Sequence, residues 1–516
     1  MGAAEQAAVR DRVCGCVMRR GREAFASGLR SLVLTGSMAR NEATIRIAST
    51  KQGATENREL RTENSLKVLG DADFILIFRD SCALPHGSAI ARLTAACEAD
   101  LRAAGIDLHL SIKAAHGAYF QKLPPHIFSY ELRAGGLVIW GDQDVLETIP
   151  RFDPAAISLE DAWRMLSNRM TEWLEFAPLV FGLQPKAVAG SRLLTVRGTG
   201  HGQRDTSLQG VHYATVKFYL DMATSLLVFL QAYEPSYCAR AKRLQRLAVN
   251  LSTHCAPPSQ DGPGVSTAGL SGSAQNGCAL GIPHADRHEW HHDEVKANQR
   301  RSDGSAADLP FPLADFAQRV MECTEWKVGC SVGNSDLLPV AVADWQVVTS
   351  YACRLWVWQL ARLANVARTR AVCPQPGGVG TGNLRWETGA SVDPGMAKSL
   401  FDALATQQTL FQKFRGWLYV ARRTNWLRSV TLWPRWLRMV WRCTPRYCVY
   451  DAAFQLVTQL PGLLDEDGQT ARAAAVSVKK LLPVYVGNPE APHGEWQDLV
   501  KQVVWNYEYF VSGTRA

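Results

Sequence analysis

Two carboxylates stand two residues apart in Gly70-Asp71-Ala72-Asp73, directly ahead of the apolar run Phe74-Ile75-Leu76-Ile77-Phe78. On a β-strand alternate side chains leave the same face, so Asp71 and Asp73 project together. Neighbouring carboxylates beside an apolar strand repel each other and are costly to bury. A divalent cation relieves that cost, and a hard cation such as Mg²⁺ is held by one or two carboxylates plus substrate phosphates. Upstream, the run Ser31–Thr35 ends in Gly36-Ser37. Such a turn offers backbone N–H groups and a hydroxyl to a phosphate, and the missing Cβ of Gly lets the phosphate come close. A third acid, Asp107, begins the alternating stretch Ile106–Ile112, with His109 and Ser111 on its face. The pattern predicts that Asp107 completes a two-metal phosphoryl-transfer site, holding the second ion and drawing the proton from the attacking hydroxyl.

These residues need a sheet to bring them together. Ser31–Thr35, Asp73–Phe78, Ile106–Ile112 and Gly136–Trp140 read as strands, and Ala89–Ala104 reads as a helix between the second and third of them. Residues 1–150 are therefore expected to form an α/β (α+β) unit with a short mixed sheet. Residues 151–516 form a larger, mostly α-helical domain in this reading. Its first helix opens at Ser158-x-x-Asp161, which resembles a capping box. Helices are expected over Val211–Ala232, Asp336–Arg370, Met396–Arg428, Ala471–Leu482 and Trp496–Val511. Residues 252–308 are poor in large apolar side chains and are expected to be a disordered insertion. Residues 373–395 read as a Gly/Pro loop.

The string Gly36-Ser37-Met38-Ala39-Arg40-Asn41-Glu42, then a strand with Asp71-Ala72-Asp73, then a further strand acid, resembles the nucleotidyltransferase superfamily of the DNA polymerase beta type. Within it, the minimal nucleotidyltransferases are most similar. Ile127–Asp142 also resembles the segment that closes that domain in bacterial members. The resemblance covers about 130 of the 516 residues. It implies that 1–150 is a nucleotidyltransferase domain. It further implies transfer of a nucleoside monophosphate from an NTP, with Mg²⁺ (or Mn²⁺), to an acceptor that is a small molecule, a protein or an RNA end. In that scheme Asp71, Asp73 and Asp107 are the catalytic metal ligands, and Gly36, Ser37 and Arg40 hold the nucleotide. A lysine of the helical domain, here Lys217, reaches the triphosphate. Lys217 and Asp221 also have the spacing of a plain helical ion pair. The chain departs from the pattern in three ways. Residues 43–65 separate the motifs and read as a hairpin or flap, Gly-Asp-Ala-Asp replaces Ser-Asp-x-Asp, and Asn41 stands where Gly is usual. The alternative is a weak or inactive nucleotidyltransferase-fold module that regulates or binds a partner.

The composition sets outer bounds. The chain is 47% hydrophobic and 20% charged with a net charge of +8, enough apolar content to bury large cores. Its first thirty residues lack the apolar stretch of a signal peptide, and no run approaches a membrane span, so a cytoplasmic location is expected. Thirteen scattered cysteines without a C-x-x-C fit neither a disulfide framework nor a zinc site. Between Ala403 and Tyr450 lie nine basic residues, five tryptophans and no acid. That mixture suits a helical core with Arg over Trp faces, contact with nucleic acid, or anchoring at an anionic membrane surface. His284, His288, His291 and His292 cluster inside the 252–308 stretch, and Gly377–Gly382 lacks the strand and the Lys-Ser/Thr of a Walker loop.

Overall fold

The computed structural model describes residues 3–49, 64–181, 208–254, 309–328, 342–371, 393–424, 433–463, 472–483 and 496–508. The chain opens with α1 (Ala3–Phe25), β1 (Leu29–Thr35), a single turn α2 (Gly36–Ala39), β2 (Thr44–Ser49) and the long β3 (Asn64–Phe78). Then follow α3 (Gly87–Ala103), β4 (Ile106–His116), α4 (Gly117–Phe120), α5 (Ile127–Gly135) and β5 (Leu137–Gly141).

β3 is the spine of a mixed sheet. β2 and β1 pair antiparallel with its first and second halves, through Thr44↔Leu69 to Ser49↔Asn64 and Thr35↔Asp73 to Leu29↔Phe78. β4 runs parallel along the other edge, and β5 pairs antiparallel with β1. The period-2 pattern assigns the faces. Ala72, Phe74, Leu76 and Phe78 lie in a core with Val9, Val13 and Val17 of α1 and Leu93, Cys97 and Leu101 of α3. Ile75 and Ile77 lie in a second core with Val33, Phe120 and Leu132. By the same alternation Asp71 and Asp73 fall on the second face, where the apolar packing ends. The 43–65 stretch does form a hairpin as far as it is described, with β2 and the start of β3 as its arms.

The described residues beyond are helical: α6 (Leu159–Trp173), α7 (Ala177–Val180), α8 (Leu208–Phe229), α9 (Tyr237–His254), α10 (Leu313–Val328), α11 (Val342–Ala371), α12 (Pro394–Thr406), α13 (Leu410–Thr424), α14 (Trp433–Arg442), α15 (Pro445–Leu463), α16 (Arg472–Leu481) and α17 (Trp496–Asn506). One core joins them. Fully buried tryptophans carry much of it, with Trp173 stacked on Trp345 at 4.7 Å and Trp356 on Phe454 at 4.0 Å between ring centroids. Among the described residues no helix is long and apolar enough to cross a membrane.

Two sequence expectations are corrected. The single helix expected over Met396–Arg428 is two, broken at Gln407–Thr409. Thr409 Oγ1 accepts the Gln412 N–H (3.2 Å) and Gln412 Oε1 accepts the Thr409 N–H (2.9 Å), a reciprocal box that starts a new helix. At α6 the expected capping box does not form. Ser158 makes no side-chain cap, and Asp161 instead accepts the Ile127 N–H (3.0 Å) at the start of α5. That N–H is one of the unpaired donors of a helix start, and the carboxylate satisfies it. Most of 252–308 and of 373–395, the four histidines and Gly377–Gly382 lie outside the described residues.

Candidate active site

β1 delivers the Gly36-Ser37 turn directly against the carboxylate pair. Thr35 pairs in register with Asp73, and Gly36 follows with φ +73°. A Cβ on Gly36 would stand 3.1 Å from Asp73 Oδ2, so both the left-handed backbone and the close approach call for glycine. Gly70 (φ +100°) sits just ahead of Asp71, and a Cβ there would meet the Tyr213 hydroxyl of α8 at 2.2 Å. The helical domain therefore packs onto the middle of β3 through Tyr213. Asn41 (φ 58°) adopts the left-handed conformation expected of the position where the resemblance has Gly, and Arg10 donates to its Oδ1 at 2.7 Å.

Asp71 is exposed and Asp73 half-buried. Burial, and next the charge of Asp71, push the Asp73 carboxyl above the usual carboxylate range. Lys113, Lys217 and a hydrogen bond from the Ser111 hydroxyl oppose that shift. Both lysines thus act electrostatically on Asp73. Lys217 acts on Asp73 from α8. Asp221, its expected helical partner, pairs with Arg169 at 2.6 Å.

Asp107 does not join this group. β3 advances four residues from Lys67 to Asp71 while β4 advances two, from Asp107 to His109. The offset spans the left-handed Gly70 and sets His109 beside Asp71 and Ser111 beside Asp73. Asp107 lies beside Lys67 instead, 53% exposed in its side chain and 3.9 Å from Arg102. Among the described residues no three His, Cys, Asp or Glu side chains converge as a metal-holding group. His109 Nδ1 lies 2.9 Å from Glu98 Oε1, which also accepts the Leu110 N–H (2.9 Å). A carboxylate held this way fixes the imidazole's orientation.

Arg40 is committed elsewhere. Its guanidinium is almost buried, pairing with Glu42 (2.9 Å) and Glu131 (3.3 Å) and lying over the Tyr237 ring. Ser37 stays in the turn, where its carbonyl accepts the Glu42 N–H (2.7 Å). Sequence reasoning missed Lys113, Tyr213 and the His109–Glu98 pair. The period-2 pattern of β4 does carry Lys113 and His109 onto the face of Asp107, whereas nothing local marks Tyr213.

Lys327 was missed as well. It ends α10 fully enclosed, donates to the Tyr213 hydroxyl (3.3 Å) and stands over the rings of Tyr213 and Tyr237. Its backbone carbonyl takes the Thr44 hydroxyl (3.0 Å), which ties α10 to the sheet. Burial lowers its pKa from 10.5 to about 8. Between those values the unfolded chain binds the proton that the folded one has lost, so stability rises with pH across the window. Below about 8 the buried ammonium works against the fold. Lys327→Met should accordingly be more stable than wild type at pH 7, by up to about 3 kcal/mol. The gap should shrink as pH approaches 10, read from urea unfolding at both pH values.

The carboxylate pair suits a cation bound in the Mg²⁺ manner, with two protein oxygens and the rest of the shell from water and phosphate. The Gly36 turn supports this fit: its missing Cβ leaves open the space beside Asp73 Oδ2 that any larger residue would fill. No family model, curated protein or solved structure matches the chain.

Proposed function

We propose that residues 1–150 form a nucleotidyltransferase domain that uses NTP, in the cytoplasm, to modify an acceptor not yet identified. The observation that carries the reading is the convergence of the Gly36-Ser37 turn, Asp71, Asp73 and Lys217 beside the middle of β3, where Tyr213 of the helical domain packs. Asp71 and Asp73 would hold Mg²⁺, which when bound neutralises charge on the triphosphate. Lys217 and Lys113 draw the phosphates to the pair electrostatically, and the Gly36 turn admits them without steric conflict. The acceptor oxygen attacks the α-phosphorus, the α–β bridging bond breaks, and pyrophosphate leaves. His109, oriented by Glu98 and beside Asp71, takes the acceptor's proton. The helical domain, seated on Gly70 by Tyr213, keeps water from the transferred group.

One observation favours a second reading, nucleotide binding without transfer: Asp107 stands beside Lys67 and not beside the pair. Mg²⁺-dependent turnover of the four α-labelled NTPs, with and without cell extract as acceptor source, separates the two. The first reading predicts label transfer that Asp71→Ala/Asp73→Ala abolishes and Lys217→Ala reduces at least tenfold. Bound nucleotide with no transfer in any condition would establish the second.

A further inference from the structure

The described residues between Ala403 and Tyr450 divide into a part that packs and a part that does not. Trp417 is wholly buried, and its indole N–H donates to the Cys443 carbonyl at 2.7 Å. Lys413 is buried and donates to the Trp441 carbonyl at 3.2 Å. These two bonds pin α13 to the C-terminal end of α14. They bring the Trp441 backbone to Lys413, in the first turn of α13, next to Leu410, Phe411 and Phe414 in sequence. Trp441 is 67% exposed, Phe411 is 72% exposed, and Leu410, Phe414 and Leu437 are exposed as well. Five large apolar side chains thus stand exposed on two joined helices, a concentration that an ordinary surface does not carry without reason.

The charged side chains of these two helices are all basic. Arg415, Arg422 and Arg438 are exposed on the same two helices. The acids that bracket the segment, Asp402 and Asp451, both lie against Arg442, at 3.5 and 2.6 Å. The exposed arginines therefore meet no compensating carboxylate within Ala403–Tyr450, which contains none.

We infer that α13 and α14 are a peripheral docking surface for an anionic lipid bilayer. The aromatic and leucine side chains enter the headgroup boundary while the arginines face the lipid phosphates and carboxylates. A nucleic acid would satisfy the arginines and could stack on Trp441, but it has no place for Leu410 and Leu437. A bilayer takes all five apolar residues and the charge together. With no described helix able to cross, the protein would lie on the surface and not span it. The inference does not depend on the chemistry proposed for the sheet domain.

The test is sedimentation of the full chain with phosphatidylcholine vesicles and with vesicles containing about one-third phosphatidylserine, at low and high salt. Binding is expected only to the anionic vesicles and should weaken as salt rises. Each exposed arginine should contribute about fivefold to partitioning. Arg415→Gln/Arg422→Gln/Arg438→Gln should then lose roughly a hundredfold. Phe411→Ser/Trp441→Ser should lose at least about tenfold even at low salt, because the apolar insertion goes with it. All five positions are exposed, so both variants should keep the wild-type melting temperature, which excludes unfolding as the cause. Equal absence of binding to both vesicle types would overturn the inference. So would salt-sensitive retention on RNA without vesicle binding, or a change in these variants confined to oligomeric state.

Discussion

Glu131→Gln should destabilise the protein by about 3–5 kcal/mol in urea unfolding, the range for leaving one partner of a buried ion pair uncompensated. Glu131 is the hub where the sheet unit meets the helical domain. One of its oxygens accepts from Arg240 (2.6 Å) and from the Tyr233 hydroxyl (2.5 Å), and the other from Arg40 (3.3 Å). Arg240 is only 3% exposed and spends its other donors on the carbonyls of Glu234 and Pro235, both at 2.8 Å, and on the Thr224 hydroxyl. Its guanidinium also lies over the rings of Tyr233 and Tyr237. Two guanidiniums and two carboxylates, Arg40, Arg240, Glu42 and Glu131, balance in charge. Glutamine at 131 leaves two cations to share Glu42. Arg240→Met should be destabilising too, but the double variant should fall short of the sum by more than about 1 kcal/mol, since each single change already breaks the same Arg240–Glu131 contact. Strict additivity would mean that the contacts are independent and that the network is not what joins the two parts.

This network also shows where the sequence misleads. Arg40 and Glu42 belong to the string that resembles a nucleotide-binding motif, and Arg40 is expected there to touch the nucleotide. In the fold both side chains turn to the helical domain, with Glu42 accepting the Tyr237 N–H at 2.8 Å. A motif records residue types and spacing, but the partner nearly two hundred residues away decides what each side chain does. The same limit explains Asp107. Its type and strand were readable, because the Ile106–Ile112 alternation is local. Its register was not, because it depends on how β3 accommodates the left-handed Gly70 against Tyr213. What was legible came from short-range rules: the strands from apolar runs, the face shared by Asp71 and Asp73 from a period of two, the Gly36 turn from its glycine. The break between α12 and α13 was legible in principle too, since Thr409-x-x-Gln412 is a capping signature inside a pattern that otherwise reads as one helix. Lys217 is singled out by the resemblance alone; in the fold it acts electrostatically on Asp73. Lys327, enclosed by aromatic rings from two helices, leaves no mark in sequence.

Asp73→Asn should make the protein without metal more stable and, under the transferase reading, remove Mg²⁺-dependent turnover. The two effects have one origin. Burial and the neighbouring Asp71 hold the Asp73 carboxyl above its ordinary range. An acid whose folded pKa exceeds its unfolded value near 4 keeps its proton longer in the folded state, so stability falls as pH rises through the interval between them. Asparagine has no such charge to develop. The melting-temperature advantage of Asp73→Asn should therefore be near zero below pH 4 and grow as pH rises above it. Added Mg²⁺ with NTP should raise the wild-type melting temperature and leave that of the variant unchanged, because a ligand stabilises only the form it binds. In turnover, losing a carboxylate that holds the cation forfeits several kcal/mol of transition-state stabilisation, a fall of about a thousandfold or more at 1.36 kcal/mol per decade. Asp107→Asn supplies the contrast. Its exposed carboxylate beside Lys67 and Arg102 should matter little to stability, and turnover that survives the change would assign the reaction to Asp71 and Asp73 without it. A variant Asp73→Asn that is less stable than wild type at pH 7 would mean that Lys113, Lys217 and the Ser111 hydroxyl already outweigh burial. The pair would then be a satisfied structural feature and not a site poised for a cation.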